Sequence, residues 1–254
     1  MLQSIIRIAR EAGEMIRESA KSAVHQKEGH FNFVTDTDVA VQRYIQSALQ
    51  KLLPGSGFFA EERDNEPLTD EPTFVVDPID GTINFMRGRD ASAVSVALLE
   101  KKTPVLGVIY NPYKDEMFCA EKGKGALLNG VPIRVSEMPF EKAVTAFGTS
   151  PYDAELAEKG IEYARRFLRE GGDLRRCGAA ALDFCDVACG RTDIFFELRL
   201  RPWDVAAGSL IVTEAGGRFY SIGHGAPYYD SACGILACNQ RCAADAMRVL
   251  EMKP

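Results

Sequence analysis

The stretch Phe74-Val75-Val76-Asp77-Pro78-Ile79-Asp80-Gly81-Thr82-Ile83-Asn84-Phe85 constrains this chain more than any other. Phe74 to Val76 are β-branched or aromatic and too few for a helical repeat, so they read as a buried strand. Pro78 fixes its own φ and holds Asp77 extended. The strand is therefore predicted to end at Asp77, the chain to turn, and Asp80 to enter the same cavity. Two carboxylates sharing one small space repel, and one pKa rises sharply unless a cation neutralises them. A hard cation with oxygen ligands suits the pair. Mg²⁺ suits it best, because one or two carboxylates, water and a substrate phosphate complete its shell. Gly81 lets backbone approach a ligand closely, and Thr82 offers a hydroxyl and an amide at the predicted start of a helix. Asp-Gly alone is ordinary turn punctuation, so the longer string carries the reading of a metal seat beside a phosphate seat.

With 254 residues, 46% of them hydrophobic, the chain can bury a sizeable core as one large or two intimate domains. Its net charge of −6 argues against nucleic acid or an anionic membrane as partner, and any anionic substrate then needs local cations. No apolar run approaches the roughly 18 residues of a membrane span, and the N-terminal stretch carries charges where a signal peptide has an apolar core. A cytoplasmic location is expected. Cysteines 119, 177, 185, 189, 233, 238 and 242 are odd in number and contain no CxxC pair, so they read as reduced, mostly core residues.

Leu2, Ile5, Ile6, Ala9, Ala12, Gly13 and Ile16 recur at helical spacing, which predicts an amphipathic helix through about Ser19. His25 to Phe33 has no period and reads as a mobile loop. Thr35-Asp36-Thr37-Asp38 supplies caps for a second helix whose face is Val41, Tyr44, Ile45, Ala48 and Leu52, ended by Pro54-Gly55-Ser56-Gly57. Phe58 to Ala60 begins a sheet. Ser92 to Leu99, Val105 to Tyr110 and Glu116 to Ala120 continue it, with Gly125 to Leu128 before an Asn129-Gly130 turn. Residues 1–135 thus read as an α+β half, two helices on an antiparallel meander. Residues 136–254 read as an α/β half, with strands at 144–147, 194–196, 218–221 and 235–238 between helices at 153–169, 180–189 and 204–215 and a closing helix to Leu250. No repeat or linker separates the halves, which implies one compact unit with the site between them.

Asp77-Pro-Ile-Asp80-Gly-Thr82-Ile-Asn-Phe85 resembles the signature of the inositol monophosphatase family of Mg²⁺-dependent, Li⁺-sensitive phosphatases. Phe59-Ala60-Glu61-Glu62 upstream, and Trp203-Asp204-Val-Ala-Ala-Gly208 with Glu214-Ala-Gly-Gly217 downstream, follow in the family's order, and the resemblance spans nearly the whole chain. It implies a layered α-β-α-β-α sandwich and commonly a homodimer. It also implies a first Mg²⁺ on Glu61, Asp77 and the carbonyl of Ile79, a second on Asp77, Asp80 and Asp204, and a weaker third near Glu61. Paired cations of this kind activate a water for in-line attack at phosphorus and stabilise the leaving oxygen, with no covalent phosphoenzyme. By the same resemblance Thr82 and Asp38 orient that water with Glu61, and the amides of Gly81 and Thr82 receive the phosphate. Asp80, Glu197 and the amide of Ala180 meet the polyol, and Lys27 belongs to a loop that closes near the metals. Ala179 stands where the family usually has Ser or Thr. Arg199 replaces a position that is often small, as a reader of a second anionic group or as a surface or subunit contact.

The expected activity is hydrolysis of a small polyol or sugar phosphate, inositol monophosphate first. Fructose bisphosphate, histidinol phosphate and phosphoadenosine phosphate are the alternatives on the same scaffold, and a non-catalytic binding protein is the remote one. Rival motifs fail on their residues. Asp36-Thr-Asp38-Val-Ala40 lacks the last residue of a haloacid-dehalogenase nucleophile motif, Cys185-x5-Arg191 lacks the glycines of a cysteine-phosphatase loop, and His25, His30 and His224 have no metal or triad spacing.

Overall fold

A computed structural model describes residues 1–19, 23–26, 33–224 and 227–252. The first half runs α1 (Leu2–Glu18), β1 (Val24–Gln26), β2 (Phe33–Thr35), α2 (Asp36–Leu52), β3 (Gly57–Ala60), β4 (Thr73–Asp80), α3 (Thr82–Met86), β5 (Ala93–Glu100), β6 (Thr103–Asn111), β7 (Glu116–Glu121), β8 (Ala126–Leu128) and β9 (Val131–Ile133). Strands β3 to β9 form one sheet in chain order; β3 lies parallel to β4 and every later neighbour is antiparallel. The second half runs β10 (Val144–Phe147), α4 (Ala154–Glu170), β11 (Asp173–Arg175), α5 (Ala180–Ala188), β12 (Ile194–Leu200), α6 (Pro202–Glu214), β13 (Arg218–Ile222), β14 (Cys233–Cys238) and α7 (Ala243–Val249). Its five-stranded sheet has the order β11-β10-β12-β14-β13.

Alternation along the strands sorts the layers. On the outer face of the first sheet, Phe74, Val76, Val96 and Val108 meet Ile5, Ile16, Ile45 and Leu49 of α1 and α2. On its inner face, Val75, Ala97, Ile109 and Phe118 share a core with Phe184 of α5, Ala206 and Ala207 of α6, and Phe195 and Ile235 of the second sheet. Tyr163 and Phe167 of α4 and Val249 of α7 cover that sheet's far face at Phe196 and Leu236. The result is the α-β-α-β-α sandwich implied by the resemblance. Helix α6 is buried on almost every side, as a middle-layer helix must be. Small residues let it sit there: a Cβ on Gly208 would come within 2.5 Å of Phe184, and one on Gly107 of β6 within 2.9 Å of the Ala207 carbonyl.

Two expectations need correction. Strand β4 does not end at Asp77 but continues through Pro78 to Asp80, with a bulge between Asp77 and Asp80 in its pairing to β5. Pro78 is tolerated because β3 pairs only as far as Val76, so no ladder bond is lost on that side. The segment read as a loop from His25 to Phe33 carries paired strands at both ends, Val24↔Thr35 through Gln26↔Phe33. β1 is exposed along its length, so it shows no hydrophobic period. The rest of that segment, with the Lys27 position, lies outside the described residues. Strands β9 and β11 were not foreseen either, being three residues each and mostly exposed or half-buried. Among the described residues no helix is long and apolar enough to cross a membrane.

Candidate active site

The bulge in β4 makes the site. Strict alternation would send Asp77 and Asp80, three apart, to opposite faces of the sheet. Instead β5 advances two residues, from Ser95 to Ala93, while β4 advances three. The extra residue turns Ile79 into the outer core with Phe74 and Val76 and returns Asp80 to the inner face with Asp77. Ser95, opposite Asp77, donates its hydroxyl to the Trp203 carbonyl at 3.4 Å and so places the start of α6 above β4. Asp204, in the first turn of α6, completes the group. Ligand oxygens of Asp77, Asp80 and Asp204 all lie within 4.8 Å of one another, and among the described residues this is the one cluster able to hold a metal ion.

Backbone amides hold each carboxylate in place. Asp77 accepts the Ile79 amide at 3.0 Å, and Asp204 accepts the Arg201 amide at 2.7 Å. Asp80 accepts two amides from the start of α5, Ala180 at 3.2 Å and Ala181 at 2.8 Å, where the helix dipole also favours a negative charge. The Ala180 amide, expected on a substrate hydroxyl, is thus committed to Asp80. Even so, burial holds the Asp77 and Asp204 carboxyls well above the usual range, and the fields of Glu61 and of the other site carboxylates add to it. Asp80 is raised to about 7, again by burial first, against the pull of the α5 amides. Converging, oxygen-only, partly desolvated anions whose charge disfavours them at neutral pH form a donor set for a hard divalent ion, and Mg²⁺ fits it.

Around this cluster the remaining expected residues fall as follows. Glu61 follows the end of β3 beside Asp77, because Ala60 pairs with Val76. Gly81 precedes α3 at φ +86°, and a Cβ there would press on the Ala179 methyl at 3.0 Å and the Ala91 carbonyl at 3.1 Å. Thr82 donates its hydroxyl to the Ile79 carbonyl at 3.2 Å and lies 3.4 Å from an Asp38 oxygen. Asp38 is buried at the start of α2, where it closes a reciprocal cap with Thr35. Glu197 stands on β12. It accepts the Ser150 amide at 2.9 Å and hydroxyl at 3.3 Å, and burial raises it to about 7. Only glycine at 148 admits it, since a Cβ would fall 1.8 Å from its Oε2. Arg199 pairs with Asp153, the N-cap of α4, at 3.1 Å.

Two residues that build the site were given no role from the sequence, although Asn84 stands within the signature string. Buried Asn84 donates to the Ala91 carbonyl at 2.8 Å and the Cys177 carbonyl at 3.1 Å, which fastens α3 to the loop that leads into α5. Arg176 lies over that loop and reaches the Thr149 hydroxyl at 3.3 Å.

Comparison with known proteins gives one consistent result. The model of the inositol monophosphatase family matches residues 1–251. Inositol monophosphatase 2 of Solanum lycopersicum is 44% identical over 222 residues, covering 84% of this chain and 83% of the relative. The crystal structure of the extragenic suppressor protein suhB from Bartonella henselae superposes with a TM-score of 0.90 at 34% identity, covering 98% of this chain and 97% of that one. An IMPase/NADP phosphatase solved in complex with Mg²⁺ and phosphate shares the fold at a TM-score of 0.85 and 22% identity, covering 96% and 92%.

Proposed function

The chain belongs to the inositol monophosphatase family, and from that premise we propose that it is a Mg²⁺-dependent phosphomonoesterase acting on a small polyol or sugar phosphate, inositol monophosphate first. The observation that carries the reading is the convergence of Asp77, Asp80 and Asp204, from a bulged strand and a separate helix, within 4.8 Å. Asp77, Asp80 and Asp204 would hold one Mg²⁺, and Asp77, Glu61 and the Ile79 carbonyl would hold another, with a third near Glu61. When bound, the ions supply Lewis-acid activation and charge neutralisation.

The chain's own groups do the rest. Amides of Gly81 and Thr82 bind the phosphate at the start of α3. The Thr82 hydroxyl, between Asp38 and the Ile79 carbonyl, orients the attacking water with Asp38 and Glu61. Asp80 and Glu197 accept hydroxyls of the alcohol, with the Ala180 amide beside Asp80. Lys27, which lies outside the described residues, is the further candidate for a contact near the metals. The two halves act as one unit, in the cytoplasm and as a homodimer, and Li⁺ inhibits. The complex of a distant neighbour with Mg²⁺ and phosphate supports the cofactor.

Fructose bisphosphate, histidinol phosphate and phosphoadenosine phosphate are the rival substrates. Each carries a further anionic or cationic group, and Arg199, the candidate reader of a second anion, is paired with Asp153. A non-catalytic binding role is disfavoured by the intact acidic set. Phosphate release from a panel of these esters, with and without Mg²⁺ and beside Asp80→Asn, tests the reading. Metal-dependent release that the variant loses is expected. Equal release by the variant refutes the role of Asp80, and no release from any ester refutes the phosphatase reading.

A further inference from the structure

Among the described residues strand β3 is the edge of its sheet, with no strand beside its outer backbone groups. Glu61 donates its amide inward, to the Val76 carbonyl of β4 at 3.3 Å. By alternation, the backbone groups of Ala60 and Glu62 face outward. Two side-chain amides meet them there. Asn65 accepts the Ala60 amide at 2.9 Å and donates to the Ala60 carbonyl at 2.7 Å. Gln42 accepts the Glu62 amide at 2.9 Å and donates to the Glu62 carbonyl at 2.8 Å. Each makes the donor-and-acceptor pair that a further strand would make, one on either side of Glu61.

Gln42 is buried, at 6% exposure, and comes from α2. It lies four residues after Asp38, on the same face of that helix. The helix that delivers Asp38 to Thr82 therefore also grips the backbone that delivers Glu61 to Asp77. We propose that Gln42 is a positioning residue for Glu61, its primary amide locking the Glu61–Glu62 peptide so that the carboxylate faces the Asp77 side of the cluster, with Asn65 bracing the residue before it. A turn left unbraced at a sheet edge would let that carboxylate swing, and groups behind a metal ligand commonly govern affinity in this way. The inference rests on the reading of Glu61 as a Mg²⁺ ligand.

The test is a cycle of Mg²⁺ binding measured by titration calorimetry on the full chain, with phosphate release as a second readout. Gln42→Met, similar in length but without hydrogen bonds, is expected to weaken Mg²⁺ binding roughly 10-fold or more. Gln42→Glu, which keeps the acceptor for the Glu62 amide, should fall between it and wild type and covers the case in which Gln42→Met does not fold. Turnover at saturating Mg²⁺ should change much less than the Mg²⁺ concentration that half-activates. In a Glu61→Gln background the Gln42→Met effect should largely disappear, because the two act through one group. Glu214→Ala, which cuts a remote tether to the Gly123 and Gly125 amides, serves as a control for lost stability and should leave Mg²⁺ affinity unchanged. Unchanged affinity in both Gln42 variants, or additive losses with Glu61→Gln, overturns the inference alone. A wild-type chain that binds no Mg²⁺ overturns the metal reading and the inference with it.

Discussion

Removing the metal and raising the pH should unfold this protein from its active site outward. Asp80 has an ordinary pKa of 3.8 and is raised to about 7 in the fold, chiefly by burial. The folded state therefore keeps a proton that the unfolded chain gives up. Its stabilising share is complete below about pH 4 and is lost as pH climbs through about 7. A gap of about three pH units at 1.36 kcal/mol each makes this share on the order of 4 kcal/mol, a large part of the 5–15 kcal/mol of a typical domain. Glu197, raised from 4.5 to about 7, acts with the same sign over the same window. The exposed acids whose pKa is lowered, Asp115, Asp173 and Glu251, do their work below it, so the interval from pH 5 to 7 reads the raised buried acids, those of the site together with Asp183 and Asp186 of α5. Urea unfolding in EDTA at half-unit pH steps measures the effect. One retained proton corresponds to a loss of about 1.4 kcal/mol per pH unit. Saturating Mg²⁺ should flatten the slope by taking the proton's place, and a concentration 100-fold above Kd adds about 2.7 kcal/mol. Asp80→Asn should reduce the slope in EDTA without abolishing it, because Asp77, Asp204 and Glu197 are raised as well. A stability that is level or rises between pH 5 and 7 without metal would refute the account of these carboxylates as a desolvated, mutually repelling group.

Other outcomes follow from the same geometry. Gly81→Ala places a methyl against Ala179 and the Ala91 carbonyl at a positive φ, so it should cost about 1–3 kcal/mol in a thermal melt and depress phosphate release further. Glu197→Gln should raise KM for polyol phosphates while leaving hydrolysis of an aryl phosphate, which offers no hydroxyl to that side, within a few-fold of wild type; equal effects on both would remove Glu197 from substrate contact. Phe184→Ala empties the centre of the middle layer, where Phe184 touches Phe195 edge-on at 5.0 Å, and should cost about 3–5 kcal/mol by urea unfolding.

Much of this protein is legible in its sequence, for local reasons. The helical faces of α1 and α2, the Thr35 cap, the Asn129-Gly130 turn and the β-branched run of β4 each express a period or a backbone preference within a few residues. The acidic cluster of Asp77, Asp80 and Asp204 was legible because its chemistry is unusual and the order of its residues matches a family pattern. The bulge that puts Asp77 and Asp80 on one face was not legible, since it is set by how β4 pairs with β5, two chain segments apart. Nor were the brackets made by Gln42 and Asn65, or the partners of Asn84, a residue of the signature string itself. A buried amide pairing with distant backbone leaves no periodic trace, and the same residues in another fold would be ordinary surface. By itself the sequence determined which groups carry charge and where helices and strands begin, because those are properties of short stretches in water. Tertiary structure alone decided that the charges meet, because only the packing of α2, α5 and α6 against β3 and β4 supplies the amides and the low-dielectric enclosure that hold like charges together.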